Sequence, residues 1–194
     1  RIMDDMEHAV SQTAGYSAAR VAGSIPELDA ILAQPKSERP IAVIHAVEGA
    51  HSLGGPDASD AGVMRSLEKL YQRGTAYLTL AHFYPNQVVH PCFPFPEDIV
   101  RLSKRKWMWR DLTLGLTDLG KQVVARMIEL GMLIDLSHST PQARKEIYEI
   151  SAASGKQAPL LATHVGAYGI NPSPYNLTDG EIRRIASAGG VIGV

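Results

Sequence analysis

The stretch Met132-Leu-Ile-Asp-Leu-Ser-His-Ser-Thr-Pro141 decides the expected fold, because it joins a strand pattern directly to a helix start. Met132–Ser137 is a short and nearly continuous apolar run, which is typical of a strand buried on both faces in a parallel sheet. Thr140 followed by Pro141 is typical of an N-cap and a first helical residue. This part of the chain is therefore predicted to be one unit of strand, loop and helix.

The same unit recurs on both sides of this stretch. Apolar runs at Ile41–Val47, Ala76–Ala81 and Leu160–Thr163 predict three more strands, and Val191–Val194 predicts a fifth. Helices are predicted from capping boxes at Ser24–Glu27 and Thr178–Glu181, from apolar spacing within Ala61–Gln72, and from a Thr117 cap with a helix to Leu130. Strands alternating with helices, without hairpin signals, predict a parallel α/β fold. A doubly wound sheet and part of a (β/α)8 barrel both fit this pattern.

Composition limits the class of protein. The chain has 194 residues, 45% of them hydrophobic, and a formal net charge of -1, which suits a single domain over residues 1–194. The near-neutral charge gives no reason to expect a nucleic-acid or membrane-surface partner. Cys92 is the single cysteine, so an internal disulfide framework is excluded. No apolar stretch reaches the roughly 18–20 residues of a membrane span. We expect a soluble segment, either cytoplasmic or exported to the periplasm.

One segment interrupts the alternation. Pro85–Leu112 is rich in proline at its start and basic and aromatic at Lys104–Arg110. Loops of this length are often functional, so we expect this one to lie over the active face. The basic run could bind a phosphate or an acidic partner, but without a wider basic face a solvated loop is the better interpretation.

Ionisable side chains follow four successive predicted strands. Glu48 follows the first of them, and His82, His138 and His164 follow the next three. The carboxyl ends of parallel strands lie on one face of an α/β fold, where active sites are found. Each residue taken singly is more often a structural hydrogen-bonding group than a ligand. The coincidence of one carboxylate and three imidazoles nevertheless indicates a site for Zn2+, in which three protein ligands leave a position for water.

The remaining candidates have simpler interpretations. Strand alternation predicts that His45 faces the covering helices. We expect His8, His51 and His90 to be exposed to solvent. Asp135 is out of phase with the strand-end residues, and we expect it to orient a neighbour or to cap a buried group.

Six segments carry recognisable motifs. They are Ile44–Gly54, Leu70–His82 ("GxRYLTLTH"), Gly115–Gly120 ("GLTxFG"), Gly131–His138 ("GMLIDLSH"), Ala158–His164 ("PVIxSHS") and Asn176–Asp179 ("RNLTD"). Together they resemble the membrane (renal) dipeptidase family, the M19 metallopeptidases, over nearly all of the chain from residue 25 onward. The segment that ends at His138 is the most specific of the six.

The resemblance implies a (β/α)8 TIM barrel of the amidohydrolase type that binds two zinc ions. This chain would supply strands three to seven with their helices. Glu48 would be the carboxylate shared by both metals, and His138 and His164 would complete the protein ligands of the second zinc. His82 would be the catalytic, substrate-side histidine that stabilises the oxyanion. The family's His-x-Asp pair on the first strand and its acid/base aspartate on the eighth are expected to be missing with the two ends of the barrel.

The chain departs from the family pattern at Val165-Gly166 and at Tyr175. Val165-Gly166 replaces the serines that often follow the sixth-strand histidine. Tyr175, which precedes Asn176, stands where the family usually has an arginine that contacts the substrate carboxylate. Tyrosine can donate one hydrogen bond but supplies no charge. We expect both Tyr175 and Asn176 to bind substrate, with a preference that can differ from the usual one.

The expected function is zinc-dependent hydrolysis of a small dipeptide-like substrate by metal-activated water. One alternative is another hydrolase with the same metal core, acting on a lactone or an N-acyl amino acid. Another alternative is that this fragment is a catalytically inactive metal-binding scaffold. The family often forms homodimers, so the resemblance also allows a second copy of the chain as a partner.

Overall fold

The computed structural model describes residues 2–12, 19–84, 86–95, 111–156 and 158–194. In chain order the elements are α1 (Ile2–Gln12), β1 (Ala19–Val21), α2 (Ile25–Leu32), β2 (Ile41–Val43), β3 (Ala46–Glu48), a 3-10 helix (Ala50–Leu53), α3 (Asp60–Gln72), β4 (Tyr77–Thr79), α4 (Asp118–Leu130), β5 (Leu133–Asp135), α5 (Pro141–Ala153), β6 (Leu160–Ala162), α6 (Asp179–Ser187) and β7 (Val191–Ile192). The basic run Lys104–Arg110 and much of the loop predicted at Pro85–Leu112 lie outside the described residues. None of the described helices is both long and apolar enough to cross a membrane.

Five parallel strands form the main sheet in the order β3-β4-β5-β6-β7. Each strand pairs with the next one in the chain, without the reversal of strand order that marks a doubly wound sheet. The register places Glu48 opposite Thr79, and Thr79 opposite Asp135. The parallel α/β fold is therefore confirmed, and the sequential order is that of a barrel segment.

The prediction of one strand at Ile41–Val47 is wrong. The run breaks at residues 44 and 45 into β2, which pairs with β1 in a separate two-stranded parallel sheet, and β3, which pairs with β4. His45 lies at the break and is 3% exposed, with its Nε2 atom 3.2 Å from Oε1 of Glu7 in α1. His45 therefore contacts a helix, as expected, but from a break between two strands, so strand alternation is not the reason. The apolar pattern does not predict β1, which is only three residues long.

Helix starts follow the capping signals of the sequence. The hydroxyl caps are Ser24, Ser59, Thr117, Thr140 and Thr178. Among these five caps, Thr178 with Glu181 forms the full reciprocal capping box. In the other predicted box, Glu27 instead accepts a hydrogen bond from the N–H of Gly23 at 2.8 Å. These caps fix the residue at which each helix begins, and so the length of the loop between a strand end and the next helix.

The core lies between the sheet and its helices. Leu78 of β4 and Ile134 of β5 belong to one buried cluster with Leu67, Met127 and Ile147 of the helices. Burying a side chain of this size contributes roughly 1.5–3 kcal/mol. Because strand residues alternate between faces, the neighbours of these core residues point towards the interior of the barrel. Polar side chains can therefore lie on the interior face of the sheet, away from this apolar core.

Candidate metal centre

Glu48 lies at the carboxyl end of β3 and is surrounded by imidazoles from three other strand ends. Its Oε1 atom is 3.2 Å from Nε2 of His164 and 3.6 Å from Nε2 of both His82 and His138. The Nε2 atoms of His138 and His164 are 3.0 Å apart. The structure therefore brings together all four residues that the strand-end pattern singled out.

These separations suit one zinc ion. Bonds of about 2.0–2.1 Å at tetrahedral angles place two ligand atoms roughly 3.3–3.4 Å apart. Glu48 Oε1 is 3.2 Å from His164 Nε2 and 3.6 Å from His138 Nε2, and the two nitrogen atoms are 3.0 Å apart. A second set, with His82 in place of His164, also has its ligand atoms within 4.8 Å of one another. The two sets share Glu48 and His138, and the shorter edges favour His164 as the third ligand.

His138 has a strained backbone. Its φ of 62° makes it the only residue other than glycine with a positive φ in the part of the chain that the structure describes. Such a conformation costs about 1–3 kcal/mol and is found where surrounding structure enforces it. The N–H of Cys92 donates to the His138 carbonyl at 2.6 Å, and the N–H of Ser139 donates to the carbonyl of Leu136 at 3.1 Å. These two bonds hold the turn that aims the imidazole at Glu48.

The His138 imidazole is electrically neutral near pH 7. It is only 3% exposed, and this burial, together with the nearby His164 and His82, lowers its pKa to about 4. A neutral imidazole can offer a lone pair to a metal without first losing a proton. Its Nδ1 atom is buried and has no hydrogen-bond partner among the described residues. Ring burial therefore favours metal binding over protonation at this position.

Asp135 lies below these candidate ligands as a fully buried carboxylate. Its Oδ2 accepts hydrogen bonds from the hydroxyls of Thr79 and Thr163 at 2.6 Å each. Its Oδ1 accepts from the hydroxyl and N–H of Ser137 at 2.9 and 3.1 Å, and from the N–H of Thr163 at 3.0 Å. Burial raises the pKa of Asp135, but the hydrogen bonds outweigh burial and hold it below its usual value. The expectation that Asp135 orients its neighbours is confirmed.

His82 stands between the other three strand-end residues and a group of aromatic rings. Its ring centroid is 4.8 Å from that of His138, 4.6 Å from Phe83 and 6.2 Å from His51, on which it stacks. The prediction that His51 is solvent-exposed is wrong, because the 3-10 helix after β3 folds the ring against His82 and leaves it half-buried with its Nδ1 atom inside. His90 is also half-buried, whereas His8 is exposed as expected.

Gly49 makes the turn that brings this 3-10 helix under the site. Its φ is 97°, and a Cβ there would overlap the His51 ring and lie 3.2 Å from Cβ of His82. We therefore expect Gly49→Ala to displace both imidazoles and to lower the free energy of unfolding by about 1–3 kcal/mol, measured by urea denaturation. Gly55→Ala is the matched control, because nothing lies within 4 Å of its added Cβ. Equal effects of the two substitutions would contradict this account.

A cleft of about 490 Å³ opens over the four strand-end residues. Its size is within the range of small-molecule sites. The described residues that line it are Glu48, His82, Phe83, Pro94, His138, His164, Val165, Asn171, Ser173, Tyr175, Asn176 and Val194. This part of the lining contains no lysine or arginine, so its polar character comes from one carboxylate, three imidazoles, hydroxyls and amides.

Tyr175 and Asn176 line the cleft, but their polar atoms already have protein partners. The Tyr175 hydroxyl donates to the backbone carbonyl of His164 at 2.9 Å. Asn176 accepts through Oδ1 from the N–H of Gly166 at 2.9 Å and donates through Nδ2 to the carbonyl of Asn171 at 2.9 Å. Both side chains brace the loop after β6. Direct contact of either residue with substrate stays a prediction.

The sequence matches one family model and several curated relatives. The model described as membrane dipeptidase (peptidase family M19) matches residues 17–194. Dipeptidase 3 of Mus musculus is 30% identical over 175 residues, which are 89% of this chain and 31% of that protein. An uncharacterized dipeptidase of Schizosaccharomyces pombe is 29% identical over 146 residues, which are 75% of this chain and 29% of that protein. The chain thus spans about a third of the length of these relatives.

Solved structures share the fold. The probable dipeptidase PvdM from Pseudomonas aeruginosa superposes with a TM-score of 0.72 at 22% identity, covering 97% of this chain and 41% of that one. A metallo peptidase from Rhodobacter sphaeroides, liganded with a phosphinate mimic of the dipeptide L-Ala-D-Ala, gives a TM-score of 0.70 at 22% identity, covering 98% and 47%. The predicted fold is therefore shared with these structures, and this chain covers less than half of each of them.

Proposed function

Because the chain belongs to the membrane dipeptidase family, peptidase family M19, we propose that it carries the zinc-binding part of a metallo-dipeptidase. In this proposal Glu48, His138 and His164 hold zinc, and His82 acts on a small dipeptide-like substrate. The observation that carries the proposal is the position of Glu48 Oε1, within 3.6 Å of three imidazole Nε2 atoms at the floor of a cleft.

A bound zinc ion would lower the pKa of a water molecule to near neutrality and polarise the scissile carbonyl. The protein residues provide the ligands and their orientation. Glu48 supplies the negative charge, and the neutral ring of His138 supplies a lone pair from a turn fixed by the N–H of Cys92. The Glu48 side chain is 45% exposed, which leaves its carboxylate accessible to a second cation from the cleft. This accessibility is consistent with the shared role that the family resemblance implies.

His82 is proposed to stabilise the negative charge that develops on the substrate oxygen. Its side chain is 22% exposed and lines the cleft, and it is held against Phe83 and His51. A donor placed in this way needs no rearrangement as the charge develops. Losing one such donor typically lowers kcat by about 10²–10³-fold.

The two histidine roles can be separated by substitution. We expect His164→Ala to lose bound zinc, whereas His82→Ala keeps its zinc and loses about 10²–10³-fold in kcat for dipeptide hydrolysis. Zinc is measured by elemental analysis after dialysis, and turnover is measured with a panel of dipeptides at saturating zinc. The opposite result, with zinc lost from His82→Ala and retained by His164→Ala, would assign the ligand role to the alternative set of Glu48, His82 and His138.

A second candidate function is hydrolysis of a substrate without a free carboxylate, such as a lactone. It is favoured by the lack of lysine and arginine among the described lining residues, and by the Tyr175 hydroxyl, which is bonded to the His164 carbonyl. Comparing kcat/KM for a dipeptide, its C-terminal amide and a lactone distinguishes the two functions. Preference for the free dipeptide supports the dipeptidase, and preference for the lactone supports the second candidate. About one zinc equivalent with no turnover supports an inactive scaffold.

A further inference from the structure

We propose that Thr163 is a positioning residue that links the Asp135 carboxylate to His164 and fixes the imidazole tautomer whose Nε2 atom is unprotonated. The assignment of that nitrogen to zinc rests on the proposed function. The tautomer itself does not, because it follows from hydrogen bonds within the protein. Thr163 would act through His164 without contacting the metal or the substrate.

The first step concerns the single hydroxyl proton of Thr163. Its Oγ1 atom lies 2.6 Å from Oδ2 of Asp135. Asp135 accepts five hydrogen bonds, two of them from backbone N–H groups, and an ionised carboxylate can only accept. The proton therefore has to come from the threonine. The short distance is that of a charge-assisted O–H···O bond.

The second step follows from where that proton lies. Thr163 Oγ1 is also 2.8 Å from Nδ1 of His164. Since its one proton points to Asp135, the hydroxyl oxygen can only accept from the imidazole, so Nδ1 carries the ring proton. A neutral imidazole has one N–H, which leaves the lone pair on Nε2. That nitrogen lies 3.0 Å from Nε2 of His138, from which it can accept a hydrogen bond in the metal-free chain. It also lies 3.2 Å from Glu48 Oε1, where a bound cation would lie between the two acceptors.

Ser137 is the competing acceptor for the Thr163 proton. Its Oγ atom is 3.4 Å from Thr163 Oγ1, much farther than the 2.6 Å to the carboxylate. The Ser137 hydroxyl itself donates to Asp135 at 2.9 Å and accepts from the backbone N–H of His164 at 3.2 Å. The backbone of His164 is thus tied to Asp135 through Ser137, and its ring through Thr163. In both connections a hydroxyl group donates its proton to Asp135 and accepts a hydrogen bond from His164.

The test compares Thr163→Val, which keeps the shape but removes the hydroxyl, with Thr163→Ser, which keeps the hydroxyl. Long-range 1H–15N correlation spectra of the metal-free, 15N-histidine-labelled chain at about pH 8, where ordinary imidazoles are neutral, report the tautomer directly. We expect an unprotonated Nε2 for His164 in the wild type and in Thr163→Ser. In Thr163→Val we expect a shift towards the Nε2–H form, with zinc affinity lowered about 10- to 100-fold.

Thr79→Val is the matched control. It removes an equally short hydrogen bond to Asp135 Oδ2, but Thr79 has no hydrogen bond to His164. We expect it to reduce stability and to leave the His164 tautomer unchanged. An Nε2–H tautomer in the wild type would overturn the inference, and this holds even if Thr163→Val does not fold. An unchanged His164 tautomer and an unchanged zinc affinity in a folded Thr163→Val variant would also overturn the inference.

The inference and the proposed function can fail separately. A wild-type chain with the expected tautomer but without zinc-dependent dipeptide hydrolysis would refute the function and leave the role of Thr163 intact. A chain that hydrolyses dipeptides while His164 carries its proton on Nε2 in the metal-free state would do the reverse.

Discussion

Glu48→Gln is expected to lower zinc affinity by more than about 100-fold and to abolish peptide hydrolysis. Loss of an outer partner of a ligand typically costs about 10- to 100-fold, and Glu48 would be a ligand itself. Its Oε1 atom lies within 3.6 Å of all three imidazole Nε2 atoms. Glutamine keeps the shape of the side chain but removes its charge. The neutral imidazoles of His138 and His164, with at most the neutral glutamine oxygen, would then have to hold a dication.

The measurement is the zinc retained after dialysis, followed by competition with a chelator to obtain affinities. Glu129→Gln is the matched control, because it removes a carboxylate of the same type from an exposed position on α4, where it pairs with Arg126. The control is expected to bind zinc as the wild type does. Far-UV circular dichroism of both variants excludes unfolding as the cause. Unchanged zinc content in Glu48→Gln would contradict the metal assignment.

Sequence patterns predict much of this fold because the decisive signals are local. Caps such as Thr117 and Thr140 act within three residues, and apolar runs such as Leu160–Thr163 mark buried strands without reference to the rest of the chain. The break at His45 cannot be predicted in this way. It depends on which partner each half of the run finds, β1 for Ile41–Val43 and β4 for Ala46–Glu48, and an apolar run does not specify a partner.

The candidate site, like the fold, can be predicted from the sequence only where the signals are local. Strand-end position is enough to select Glu48 and the three histidines, because parallel strands end on one face. It does not specify which imidazoles approach each other, since the 3.0 Å between His138 and His164 depends on the left-handed turn at His138. Nor does it indicate that the Tyr175 hydroxyl points to a backbone carbonyl. Side-chain direction beyond a strand end is set by loop geometry, which short motifs do not encode.

The polar network below the ligands depends on sheet register and is therefore also hidden in the sequence. Asp135 pairs across the sheet with Thr79 on one side and with Leu161 on the other. This register places the hydroxyl of Thr79 in β4 and that of Thr163, the residue after β6, on the same carboxylate oxygen. Both threonines lie inside motif segments, Leu70–His82 and Ala158–His164, but neither is a residue type that indicates a metal ligand. They become visible as candidates only once the buried carboxylate and its partners are seen together.

Asp135→Asn is expected to destabilise the protein by on the order of 3 kcal/mol at neutral pH, because breaking a buried, charge-assisted network has effects of this size. The sign of the pH dependence follows from the pKa of Asp135, which the hydrogen bonds of the folded state hold below its usual value despite burial. A carboxyl group with a depressed folded pKa stabilises the fold fully above its unfolded pKa, about 3.9. This contribution is lost as the pH falls through the folded pKa.

Urea unfolding of the wild type and of Asp135→Asn between about pH 7 and pH 3 should therefore give two curves that are far apart at neutral pH and converge in acid. The difference between them isolates this carboxylate, because the other titrating groups, His138 included, are present in both proteins. Asp111→Asn is the control, since its pKa is also lowered, by hydrogen bonds from Thr113, but the side chain is fully exposed. We expect that variant to follow the wild type closely. If the difference in the free energy of unfolding between wild type and Asp135→Asn stays constant down to pH 3, the prediction is wrong. Asp135 would then stabilise the fold through its shape and not through its negative charge.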